Sequence, residues 1–163
     1  MKFTYESIGI VHSPHQNASD MPIQPCGAKG VVGTIELAPE LEEGLKDLEG
    51  FSHIIVLYHF HRAGVARLSV TPFLDDRPHG VFATRSPCRP NPVGLSVVRL
   101  VKVSKTSLQV EDVDILDGTP VLDIKPYVPE FDAPEVERAG WLTKSAGAVR
   151  GRRSDGRFER DAT

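Results

Sequence analysis

Apolar positions in this chain recur mostly at every second residue, in short runs separated by Gly-, Pro- and Asp-rich breaks. Such runs predict strands with one buried face. Residues 4–12 hold Ile8 and Ile10 at period two, and Val11 widens the apolar surface. Residues 30–37 (GVVGTIEL) read as a second strand. Residues 52–61 (SHIIVLYHFH), β-branched and aromatic, read as a buried central one. Short strands are predicted at 66–71 and 80–83, and longer ones at 94–103 and 106–114. A last short strand covers 121–125, after the turn signal Asp117-Gly118-Thr119-Pro120.

Helical signals are few. Pro39 suits a first helical turn, and Leu41, Leu45 and Leu48 follow at four- and three-residue spacing. Glu40, Glu42 and Glu43 sit near the N-terminus of that helix, and Gly50 ends it. Asp132-Ala133-Pro134 predicts a second short helix running to about Ala139. Residues 13–29 carry three prolines and almost no periodicity, which predicts a long loop of the kind that carries function. There is no internal repeat and no strand–helix alternation. The expected fold is mainly β, a small barrel or sandwich with one or two short helices.

A length of 163 residues fits one domain with a sizeable core. Net charge is −3, so the chain as a whole is no polyanion sponge, although local patches decide nucleic-acid binding. Charge is unevenly spread. Between residues 144 and 160 stand Lys144, Arg150, Arg152, Arg153, Arg157 and Arg160 against only Asp155 and Glu159. This predicts a domain over 1–143 and a flexible basic tail over 144–163. The longest apolar run, Ile54 to Tyr58, falls far short of the roughly 20 residues of a membrane span. The N-terminus MKFTYESIGI shows no secretory signal, and Cys26 and Cys88 form no C-x-x-C. A soluble, reduced, cytoplasmic protein without a membrane partner is the expectation.

Three stretches carry candidate chemistry. Residues 80–96 (GVFATRSPCRPNPVGLS) contain Pro87, Pro90 and Pro92, which remove amide donors and stiffen a loop bearing Arg85, Ser86, Arg89 and Asn91. It is either a rigid connector with solvated arginines or a preorganised ligand loop. His53, His59 and His61 share one strand parity, a hint of zinc. No Glu or Cys stands at metal-site spacing nearby, so structural or ligand-contacting histidines are the preferred reading. Glu111, Asp112, Asp114, Asp117 and Asp123 suit ribose hydroxyls or a cation, but turn chemistry and solvated strand faces explain most of them. No G-x-G-x-x-G, Walker A or G-x-S-x-G motif occurs.

Taken together, Ile8-Gly9-Ile10-Val11-His12-Ser13-Pro14, Leu48-Glu49-Gly50-Phe51-Ser52-His53, Gly80 to Ser96 and Asp114 to Tyr127 resemble the TsaA-like (TrmO) family. Its characterised members are S-adenosylmethionine-dependent tRNA adenine-N6 methyltransferases. The resemblance spans residues 5 to about 142 and implies a YaeB-like β-barrel instead of a Rossmann sheet. It also implies a homodimer with the cofactor near the subunit interface, and tRNA, through its anticodon loop, as partner. Cofactor contacts are implied for Pro22, Ile23 and Gln24 in the long loop, for His61 and Arg62 after the central strand, and for Arg85 and Leu95. Asp114, Ile115, Leu116 and Asp117 complete the implied set. Arg85 or Arg62 would meet an anionic group, the cofactor carboxylate or an RNA phosphate. Asp114 and Asp117 would make polar contacts, and Leu95 and Leu116 an apolar wall. The acceptor would be the threonylcarbamoyl-modified adenosine next to the anticodon. No residue is assigned a catalytic role. Longer bacterial members carry Arg at the position of Ile23 and Gln at that of Arg62, and continue into a second domain. A cofactor-binding protein with another acceptor or no turnover, and a hydrolase using the three histidines, are the competing expectations.

Overall fold

In the computed structural model, which describes residues 1–159, the alternating runs become eight strands. They are β1 (Gly9–His12), β2 (Val32–Leu37), β3 (His53–His59), β4 (Ser69–Val70), β5 (His79–Gly80), β6 (Val93–Ser104), β7 (Ser107–Glu111) and β8 (Thr119–Pro126). Six of them close into an antiparallel barrel in the order β1-β2-β7-β6-β3-β8, with β8 pairing back onto β1. The β4–β5 pair forms a separate ribbon.

Strand parity decides what fills the barrel. On β3, Ile54, Val56 and Tyr58 point inward and are buried, while His59 on the opposite parity is exposed. Val11, Ile35, Val98, Leu108, Val110 and Val121 come from the other five strands, and Val113 and Ile115 from the connection before β8 join the same core. Burial of aliphatic side chains at about 25 cal/mol per Å² drives this closure, and closure leaves the barrel no unpaired edge. A second, smaller cluster joins Val70, Val81 and Cys88 to Phe158, with Phe73 packed against it.

The all-antiparallel order sends the connections 13–31, 60–92 and 112–118 to one end of the barrel. The other end carries the connection 38–52 and the two-residue Lys105–Thr106 turn, where Lys105 takes a φ of +51°.

Several expectations are corrected. Pro39–Leu45 and Leu48–Gly50 form 3-10 turns instead of one α-helix, separated by Asp47 at φ +65°. Leu45 still reaches the core. The helix expected over 132–139 lies earlier, at α1 (Pro129–Asp132), because Pro134 disfavours a helical Ala133, which sits at φ −122°, ψ 62°. Val81–Ala83 is a 3-10 turn closed by the Thr84 hydroxyl on the Val81 carbonyl at 2.8 Å, not a strand. The strand expected to reach residue 114 stops at Glu111, since Asp112 turns to φ +65°.

Composition suggested a flexible tail from 144 onward, but residues 144–159 lie against the rest of the chain. Gly140–Lys144 and Ala146–Arg150 form 3-10 turns, and Phe158 is only 9% exposed because it fills the second cluster. Arg160 and residues 161–163 lie outside the described residues.

Gly94 faces the Tyr58 ring across the β3–β6 ladder, and a Cβ there would overlap that ring and stand 2.9 Å from Phe60 Cζ. Gly94→Ala is therefore expected to lower stability by about 1–3 kcal/mol. Denaturant unfolding checks this, and a wild-type midpoint would refute the close approach.

Candidate functional site

The loop-rich end of the barrel brings most of the singled-out residues together. The 13–29 loop is stitched to the 112–118 turn by Ser13, whose hydroxyl donates to the Ile115 carbonyl at 2.6 Å and whose N–H donates to Asp117 Oδ1 at 3.0 Å. His15 Nε2 lies 2.9 Å from the Val113 carbonyl, and the Asp117 N–H donates to the His15 carbonyl at 2.8 Å. Gly118 follows at φ +73°, a conformation that suits glycine and lets its N–H reach the Val11 carbonyl. The Ser13 N–H holds the Asp117 carboxyl below the ordinary range.

Three residues earlier, Asp114 is in the opposite situation. Burial pushes its carboxyl up to about 7, although the Ser96 hydroxyl donates to Oδ1 at 2.6 Å and opposes the shift. Ser96 Oγ is also 3.1 Å from the Tyr58 hydroxyl. A serine hydroxyl has one proton, so with Asp114 ionised the chain runs Tyr58 to Ser96 to Asp114, each donating to the next. Burial raises the Tyr58 phenol well above its usual range, which keeps it a donor. The Arg85 guanidinium acts electrostatically on both Asp114 and Tyr58. Arg85 Nη1 donates to Gln24 Oε1 at 2.6 Å, joining the proline-rich loop to the 13–29 loop.

The proline-rich loop is built by short hydroxyl contacts. Thr84 Oγ1 accepts from the Ser86 N–H, Ser86 Oγ accepts from the Cys88 N–H, and Arg89 Nη1 donates to the Thr84 carbonyl, each at 3.3 Å. Beyond β3, His61 Nδ1 stands 3.3 Å from Thr119 Oγ1, whose own proton goes to the Leu116 carbonyl at 2.6 Å. That assigns the Nδ1–H tautomer and leaves Nε2 as an acceptor. Burial, then Arg62 and His59, hold His61 below the usual histidine range, so it is neutral at pH 7. Arg62 Nη1 donates to the Gln16 carbonyl at 3.0 Å.

Gln24, His61, Arg62, Arg85, Asp114, Ile115, Leu116 and Asp117 thus sit on loops tied to one another at one barrel end. Pro22 is buried and bridged to Arg153, and Ile23 is half-buried beside it. Leu95 stands apart: it is 47% exposed on the outer face of β6, opposite in parity to buried Ser96. His53 is at the far end of β3, edge-on to Tyr127 at 6.4 Å, away from His59 and His61. Among the described residues no three His, Cys, Asp or Glu side chains are grouped to hold a metal ion. Two shallow depressions, of about 200 and 250 Å³, lie elsewhere, lined respectively by residues such as Arg67 and Thr71 and by Thr34 and Gln109.

Sequence reasoning missed Ser96, Tyr58, Thr119 and the segment 152–159. Ser96 had a signal, a polar side chain at the inward parity shared by Val98 and Leu100. Thr119 was visible only as a turn residue.

A closed antiparallel barrel with polar, charged loops gathered at one end is a class distinct from the doubly wound nucleotide-binding folds. Residues 10–133 match the family described as the tRNA-methyltransferase O N-terminal domain, and the chain belongs to that family. It is 58% identical over 154 residues to a probable S-adenosyl-L-methionine-binding protein of Pyrococcus abyssi, covering 94% of this chain and 84% of that one. It is 40% identical over 137 residues to the tRNA (adenine(37)-N6)-methyltransferase of Escherichia coli, covering 78% of this chain and 58% of that protein. The crystal structure of TrmO from Pseudomonas aeruginosa superposes with a TM-score of 0.73 at 40% identity, over 86% of this chain and 63% of that one. This chain therefore spans less than two thirds of those two bacterial proteins.

The raised Asp114 carboxyl makes a pH prediction. Its value is raised from 3.8 to about 7 in the folded chain, so between these pH values the folded state binds more protons than the unfolded state. Its contribution to stability is present below about pH 4 and is lost as pH rises through about 7. Asp114→Asn removes that loss, and its advantage over wild type is expected to grow from pH 4 to pH 8 to as much as about 4 kcal/mol. Unfolding free energies at both pH values test this. Parallel pH profiles would show that Asp114 is solvated.

Proposed function

We propose that this chain transfers a methyl group from S-adenosylmethionine to the N6 amine of the threonylcarbamoyl-modified adenosine beside the tRNA anticodon. The carrying observation is the meeting of Arg85, Gln24 and Asp114, from three separate segments of a methyltransferase family, at one end of the barrel. The Escherichia coli relative, a tRNA (adenine(37)-N6)-methyltransferase, supports the reaction, and the Pyrococcus relative, a probable S-adenosyl-L-methionine-binding protein, supports the cofactor.

The residues present suit that cofactor. Arg85 and Arg62 are exposed guanidiniums for a carboxylate, Asp114 suits a hydroxyl or a cationic centre, and Leu116 and Ile23 supply half-buried apolar surface. When bound, the cofactor supplies an electrophilic methyl on a sulfonium. The protein's share is to hold the acceptor nitrogen in line and to take up one proton from it. The amine's lone pair is delocalised into the ring, so alignment matters more than a strong base. Asp114, at about 7 and fixed by Ser96, is the side chain matched to that late proton transfer.

In this reading the working form is a homodimer. The outer face of β3 and β6 exposes Val93 by 42% and Leu95 by 47%, and a second copy covering it would wall the open site. Leu95→Asp is expected to give a monomer in sedimentation, with weakened cofactor binding. A wild-type chain that is already monomeric would remove the dimer from the proposal. The cytoplasm, where tRNA is modified, is the corresponding location; among the described residues no helix is long and apolar enough to cross a membrane.

A methyl-transfer assay with labelled S-adenosylmethionine and bulk tRNA from cells lacking the gene, read by nucleoside mass spectrometry, tests the whole proposal. A methylated threonylcarbamoyl-adenosine is expected. Arg85→Ala is expected to weaken cofactor binding by about 1.5–3 kcal/mol through loss of a charge-assisted contact. Unchanged affinity by calorimetry would remove Arg85 from the site. The Pyrococcus relative, named only as a binding protein, favours a second reading: cofactor binding with a different acceptor or no turnover. Intact binding without transfer to tRNA would select it.

A further inference from the structure

The segment 152–159 touches two of the three connections at the site end of the barrel, 13–31 and 60–92. Arg153 forms an antiparallel bridge with Pro22. Next to it, the Asp20 N–H donates to the Ser154 carbonyl at 2.7 Å, and the Ser154 N–H donates to the Met21 carbonyl at 2.9 Å. Asp20 takes a left-handed φ of +65°, an uncommon shape that aspartate tolerates, and the bond to Ser154 helps hold it. Arg153 Nη1 donates to the Gly27 carbonyl at 3.0 Å, and the Ala18 N–H donates to Glu159 Oε1 at 3.3 Å. The 13–29 loop, which has almost no regular structure of its own, is thereby held at five residues by one short segment.

The same segment reaches the 60–92 connection at two places, near His61 and near Arg85. Glu159 bridges Ala63, two residues after His61. The Phe158 carbonyl accepts from the Gly64 N–H at 2.8 Å and from the Cys88 thiol at 3.2 Å, three residues from Arg85. The Phe158 ring is buried against Val70, Val81 and Cys88 and stands edge-on to Phe73 at 5.1 Å.

The arginines of this segment are turned to its own chain. Arg152 Nε donates to the Phe73 carbonyl at 2.6 Å. Arg157 Nε is 2.9 Å from both Asp155 carboxylate oxygens, and its guanidinium lies over the Phe73 ring at 5.1 Å. Three cations that composition assigned to a solvated arm thus make internal contacts.

We infer that residues 152–159 are a positioning strap that holds Pro22–Gln24, His61–Arg62 and Arg85 in mutual register, instead of a free arm for RNA phosphate. This rests on the cofactor reading above only for its effect on affinity; the register itself is independent of it. None of the strap residues needs to touch the cofactor.

The test uses the full chain with Phe158→Ala, Arg153→Ala and Arg153→Lys. Amide hydrogen exchange of residues 18–28 is expected to accelerate at least tenfold in Phe158→Ala and Arg153→Ala, with β3 and β6 amides unchanged. Arg153→Lys, which keeps a donor for Gly27, is expected to restore much of the protection. S-adenosylhomocysteine affinity is expected to fall about tenfold or more in the two alanine variants, whereas the salt dependence of tRNA binding keeps its slope. Unaltered exchange at 18–28 would overturn the strap. So would unaltered cofactor affinity together with a flattened salt slope, which would make the segment a phosphate arm. If wild type binds no S-adenosylhomocysteine, the functional reading fails, and the exchange data still decide the strap.

Discussion

Closure of the barrel through the β1–β8 pairing is the constraint on which the rest depends. Once six antiparallel strands close, each connection has only two ends to emerge from. Three of the five emerge from the same one, so segments far apart in sequence are forced into one small region. Asp114, Arg85 and Gln24 belong to three different connections and meet for that reason. The opposite end needs only to be sealed, and Leu45 from the Pro39–Leu45 turn helps seal it.

That region holds two carboxylates with opposite environments. Asp117 accepts a backbone N–H and is kept readily ionised, so it works as a staple between loops. Asp114, half-buried and hydrogen-bonded to Ser96, keeps its proton to about 7. Separating two like groups in this way gives one turn both a structural anchor and a group able to exchange a proton near neutral pH. The Ser96 hydroxyl supports this state: without it the carboxyl would keep only a backbone hydrogen bond and the field of Arg85.

The loops themselves are not self-supporting. The proline-rich loop has fixed φ angles and Thr84 and Ser86 turns, but the 13–29 loop borrows its shape from Ser13, Gln24 and the segment around Ser154. A site made this way can bind a flexible, many-faced ligand, because each loop contributes one kind of contact and the barrel sets their spacing.

The sequence alone determined which segments become strands, but not their parity: Ile54 to Tyr58 is an unbroken apolar run, and on β1 Val11 is the buried residue while Ile10, at the period-two position, is 44% exposed. It also marked the proline-rich loop, whose missing amide donors exclude a central strand, and through the quoted motifs it pointed to the family. Short-range signals failed where chain geometry overrode them: Leu41, Leu45 and Leu48 have helical spacing, yet Asp47 at positive φ splits the segment into 3-10 turns. Only the tertiary structure decided that Ser96 is paired with Asp114, that His61 leans on Thr119, and that the basic segment folds inward on Phe158. Those contacts join residues 18, 58 and 70 positions apart. Local pattern carries no information about such pairs, because the barrel and the packing of Phe158 outside it bring them within reach.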